Sequence, residues 1–75
     1  MSWFKRHYNK FSAKRHSWHP SWFAPYLSEF NEELQDEIVK FQVEHDLKPD
    51  GLVGPMTYRR LSAGHEVRLE EKKSE

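Results

Sequence analysis

A chain of 75 residues without a single cysteine has no disulfide to staple it. It must close one small core from side chains alone. At this length only about 60 % of the unfolded chain's surface is buried on folding, which supports one domain. No apolar run is long enough to span a bilayer. The basic N-terminus is not followed by an apolar signal-peptide core. Export is therefore expected by another route, such as host lysis, release with a virus particle, or fusion to a larger chain.

The zero net charge hides a split. Residues 1–27 hold five bases (Lys5, Arg6, Lys10, Lys14 and Arg15) and no acid, leaving seven bases against all twelve acids in the remainder. Nine of the eleven aromatic residues lie at or before Phe30. This pattern predicts a basic, aromatic arm over residues 1–20, a helical body over 21–64 and a charged tail or linker over 65–75.

Within the body, Asn31 is placed to cap a helix running to about His45, with Glu32 and Glu33 in its first turn, where negative charge suits the helix dipole. Leu34, Ile38, Phe41 and His45 recur at helical spacing. Lys48-Pro49-Asp50-Gly51 fits a type I turn. Leu52 and Val53 then act as brief apolar anchors. Pro55 opens another helix, with Tyr58 and Leu61 inward and Gly64 as its left-handed stop. In the arm, Ser2 is a candidate cap for a helix with Phe4, Tyr8 and Phe11 on one face. His19-Pro20 should interrupt that helix, and a short helical piece is expected over Pro25 to Phe30.

Phe41-Gln42, Leu47, Asp50-Gly51, Val53-Gly54-Pro55, Thr57 and Leu61 form a spaced pattern in FQVEHDLKPDGLVGPMTYRRL. It resembles the second half of the peptidoglycan-binding-domain pattern: Phe-Gln, a short gap, Leu, then Asp-Gly-x-x-Gly-x-x-Thr and a closing Leu. The likeness covers about residues 30–61. An earlier Phe-Gly-x-x-Thr of the family appears as Phe30-Asn31-Glu32-Glu33-Leu34, with Asn for Gly, the next best residue in left-handed geometry, and Leu for Thr. The family's first helix and first Asp-Gly turn have no counterpart, so the aromatic segment should stand in for them.

The resemblance implies an all-α, three-helix module that binds murein without catalysis and tethers a fused hydrolase to the cell wall. Candidate ligand contacts are Gln42, Asp50, Thr57, Tyr58 and Arg59, taken as exposed. Taken singly, each of these motif residues is better explained as a folding signature: a turn at Asp50-Gly51, a close approach at Gly54, a local bond from Thr57. Similar modules form pro-segments of animal matrix metalloproteinases, but those end in a cysteine switch and this chain has no cysteine.

Trp18, Trp22, Phe23, Tyr26 and Phe30 are expected to complete the core. Trp3, Phe4, Tyr8, Phe11 and Trp18 are candidate partner-docking residues, since exposed aromatics mark interfaces. For the arm, core completion ranks first, a protein partner second, an anionic membrane or lipopolysaccharide surface third and nucleic acid last. No nucleophile motif, phosphate loop or zinc-protease signature is present. His7, His16 and His19 lack a patterned carboxylate or cysteine, so neither a metal nor a cofactor is expected.

The sequence therefore points to a cell-wall-binding module of a bacterial or phage lytic protein, at the cell envelope or in a phage particle. The alternative is a structural or adaptor protein, such as a small virion component, that docks into a larger assembly through its aromatic arm.

Overall fold

The computed structural model describes residues 3–73, with side chains as far as His65. It has three α-helices and one 3-10 turn, and no strand among the described residues: α1 over Trp3–His16, the turn over Pro20–Trp22, α2 over Glu32–Glu44 and α3 over Pro55–Lys73. The all-α, three-helix architecture is the expected one. The expected cap at Ser2 lies outside the described residues.

Each helix starts and stops for local reasons. Asn31 caps α2: its Oδ1 accepts from the Leu34 N–H at 3.1 Å, and Glu32 and Glu33 fill the first turn. Asn31 itself is extended, at φ −120°, so it makes no use of the left-handed geometry in which it was expected to replace glycine. Pro55 opens α3, where its missing N–H costs nothing. Basic residues Lys14, Arg15 and His16 occupy the last turn of α1, matching the dipole.

Both α1 and α2 end in left-handed residues that are not glycine. Ser17 has φ 57° and Asp46 φ 58°. The following amides reach back to close the ends: Trp18 N–H donates to Ala13 O at 3.2 Å and Leu47 N–H to Gln42 O at 2.8 Å. Gly64 does the opposite of what was expected. It lies inside α3, which continues to Lys73, so residues 65–73 are helical. Two things carry the helix through: the strong helix formers that follow Gly64, and the Trp22 ring stacked on His65 at 3.9 Å.

The link between α1 and α2 is also more compact than expected. His19 Nδ1 accepts from the Ser21 N–H at 3.1 Å, capping the 3-10 turn, and Pro20 is buried. Pro25 starts no helix. It takes the second place of a turn closed by Leu27 N–H to Ala24 O at 3.0 Å, a position that suits its fixed φ.

The core gathers Ala13, Trp18, Ala24, Leu27, Leu34, Ile38, Val53 and Leu61, with Trp22, Phe23, Phe30, Phe41 and Tyr58 packed against it. Trp18 meets Phe23 at 5.4 Å and Phe30 at 5.7 Å, and Phe23 meets Phe41 at 5.4 Å. The linker aromatics thus complete the core, except Tyr26, which is 69 % exposed. Trp18 is buried, so it is a core residue and offers nothing to a partner.

Candidate functional site

The segment Gly51–Val53 is held almost entirely by side chains. Gly51 N–H donates to Gln42 Oε1 at 2.9 Å, while Gly51 O accepts from Asn9 Nδ2 at 2.9 Å and Gln35 Nε2 at 2.6 Å. Leu52 N–H donates to Asp50 Oδ1 at 2.9 Å, and Leu52 O accepts from Gln42 Nε2 at 3.0 Å. Val53 N–H donates to Asn9 Oδ1 at 2.9 Å, and Val53 O accepts from the Ser12 hydroxyl at 2.7 Å. Every backbone donor and acceptor of the three residues is therefore satisfied, as a buried connection requires. The Asn9 amide bridges Gly51 and Val53 as a neighbouring strand would. Asn9 also donates to Gln35 Oε1 at 3.2 Å, and Trp18 Nε1 donates to Ser12 Oγ at 3.0 Å.

This wiring settles the local turn. Gly51 N–H is taken by Gln42, so the expected type I turn from Lys48 to Gly51 does not close. Asp50 N–H donates to Lys48 O at 2.9 Å instead, a tighter turn around Pro49. Gly51 is required at φ 75°, and a Cβ there would overlap the Gln35 side-chain amide. At Gly54 a Cβ would meet only the Tyr8 hydroxyl, at 3.4 Å.

The candidate contacts divide accordingly. Gln42 and Thr57 are buried, at 1 % and 5 % exposure, which corrects their expected exposure. The Gln42 amide Nε2 also donates to Asp50 Oδ1 and to Thr57 Oγ1, each at 3.1 Å, so Thr57 accepts a long-range bond where a local one was expected. Half-buried Tyr58 stacks on His16 at 4.4 Å and donates from its hydroxyl to His16 O at 3.2 Å. Arg59 is exposed on α3.

Beside the Gln42 unit lies a groove of about 470 Å³. One wall is the first turn of α3, with Pro55, Met56 and Thr57; another is the chain from Asp46 to Leu52; Tyr8 of α1 forms the rim. Its lining mixes apolar Leu47, Leu52 and Met56 with Lys48, Asp46 and Asp50. A separate, smaller hollow of about 240 Å³, bordered by Arg15 and His16, lies on the other side of Tyr8 and Pro55. Of the five candidate contacts, Asp50 and Thr57 line this groove, Gln42 props it from behind, and Tyr58 and Arg59 do not line it. Tyr8, Lys48 and Met56 are lining residues that the motif did not indicate, because the motif is blind to α1 and to its own variable positions.

Helix α1 turns its polar side inward. Its buried residues are Asn9, Ser12 and Ala13. Trp3, Phe4 and Phe11 are 74 %, 63 % and 66 % exposed, and Tyr8 is 37 % exposed. The aromatic face expected on this helix is present: Phe4 and Phe11 are left in solvent, while Tyr8 leans onto Gly54.

The histidines have local partners: His7 against Trp3 at 4.0 Å, His16 on Tyr58, His19 as a cap and His45 beside Phe41 at 4.1 Å. No group of three metal-ligating side chains occurs among the described residues. Comparison with protein-family models, with curated proteins and with solved structures finds no match to this chain.

Proposed function

We propose that this chain is a non-catalytic peptidoglycan-binding module, of the kind that holds a lytic protein at the cell wall. The observation that carries the reading is the convergence of Gln42, Asp50, Gly51 and Thr57 into one hydrogen-bonded unit that props a groove open to solvent. These are the motif residues of the resemblance. Their role in it is indirect: they fix the wall, and other side chains meet the ligand.

The groove's chemistry suits a glycopeptide. Tyr8, Leu52, Pro55 and Met56 supply apolar surface for a sugar face, while Asp46 and Lys48 supply an acceptor and a cation for hydroxyls and a stem-peptide carboxylate. The first turn of α3 adds backbone N–H groups without intrahelical partners, which favour an anionic group. Binding of this kind acts by avidity, raising the local concentration of an attached or associated catalytic partner.

The test is co-sedimentation of the whole chain with insoluble murein sacculi at low and moderate salt, beside Lys48→Ala/Met56→Ala. Both substituted side chains are exposed, so the fold should be unchanged. Salt-resistant pelleting that drops roughly 10-fold or more in the variant is expected, from loss of two direct contacts. No pelleting, or equal pelleting of the variant, would contradict the reading.

A further inference from the structure

The outward face of α1 is not used by the groove, apart from Tyr8 on its rim. We propose that this face binds the surface of an anionic phospholipid bilayer, with α1 lying in the interface plane. No described helix is long and apolar enough to cross a membrane, so the contact is peripheral.

Three observations carry the proposal. First, α1 inverts the usual amphipathic order of a surface helix. It docks onto its own protein through Asn9 and Ser12, and leaves Trp3, Phe4 and Phe11 in solvent. Second, exposed Lys10, Lys14 and Arg15 lie beside these rings, and the helix carries no acid anywhere along its length; Arg6 lies instead beside Glu29 and, at the start of α2, Glu32. On this side its charge is complementary to an anionic surface. Third, Lys10 and Lys14 border the same shallow hollow as Phe4 and Phe11. Lysine is depleted in the dry centre of protein interfaces, whereas at a bilayer its stem lies along apolar surface and its ammonium stays at the headgroups. The face is also the convex side of one helix, whereas single-stranded nucleic acid is bound in a groove with stacking platforms.

The experiment is vesicle co-sedimentation of the full chain. Vesicles of equal parts phosphatidylglycerol and phosphatidylcholine are compared with phosphatidylcholine alone. Two independent variant pairs are used, Phe4→Ser/Phe11→Ser and Lys10→Glu/Lys14→Glu, each checked for parental helicity by circular dichroism. All four side chains are exposed, and misfolding of one pair leaves the other to decide. Binding to the anionic vesicles should exceed binding to the neutral ones. It should fall roughly 10-fold or more in the phenylalanine pair and roughly 30-fold or more in the lysine pair. Lys48→Ala/Met56→Ala should bind vesicles like the parent, which separates this face from the murein groove. Absence of vesicle binding, equal binding to both vesicle types, or parental binding by either folded pair would overturn the proposal. So would self-association of the parent that Phe4→Ser/Phe11→Ser abolishes, which would assign the face to a second copy of the chain.

Discussion

The segment Gly51–Val53 and the apolar cluster around Ile38 lie close together and are held by opposite means. The cluster is packed from Leu34, Ile38, Val53, Leu61 and the linker aromatics. Such packing degrades gradually: trimming one methylene, as in Ile to Val, costs about 0.5–1.5 kcal/mol. The segment depends instead on Asn9, Ser12, Gln35, Gln42 and Asp50, each serving one or more backbone groups. There the loss of one side chain strands buried donors or acceptors, each costing about 1–3 kcal/mol. The network is complete, with no buried side-chain nitrogen or oxygen unpartnered among the described residues. A polar seam of this kind specifies one docking of α1 and tolerates little change.

The largest single loss is expected for Gln42→Ala. It strands the Gly51 N–H and removes a donor from Leu52 O, Asp50 and Thr57. Chemical denaturation should show a loss of at least about 3 kcal/mol, more than any single-methylene trimming of the cluster. A loss below about 1 kcal/mol would mean that water replaces the amide and that the seam is not a structural hub.

A smaller effect of opposite sign is expected at Gly64. A Cβ there meets nothing within 4 Å, and the residue is mid-helix. Gly64→Ala should stabilise the protein by about 0.5–1 kcal/mol, raising Tm by a few degrees. A loss of stability would instead indicate a left-handed helix stop at this position.

What was legible in the sequence follows this division. The apolar periodicity of α2, the Asn31 cap and Pro55 as the opening of α3 were all readable, because each is local chemistry acting over one or two turns. The end of α2 near His45 was readable too, but the left-handed residues Ser17 and Asp46 that follow α1 and α2 were not, since glycine ordinarily marks that geometry, and the glycine that looked like a stop sits within α3. The seam was half legible. Gln42, Asp50, Gly51 and Thr57 stood out through the motif, but Asn9, Ser12 and Gln35 meet their partners across 16 to 44 residues of chain. Only the i, i+3 spacing of Asn9 and Ser12 hints that a polar side is inward. The aromatic face itself was read correctly, while its direction depended on contacts that no local pattern encodes. The groove was the least legible part, because Tyr8 comes from a helix far from the motif.

Helix α1 belongs to the body through its polar face and leaves Phe4 and Phe11 free. Equilibrium unfolding in denaturant of Asn9→Ala beside Phe11→Ala tests it most directly. Asn9→Ala should lose at least about 2 kcal/mol, because Val53 N–H is stranded and Gly51 O loses a donor. Phe11→Ala should stay within about 0.5 kcal/mol of the parent. The reverse order, with Phe11 costly and Asn9 neutral, would show that the helix packs by its aromatic side and would contradict this account.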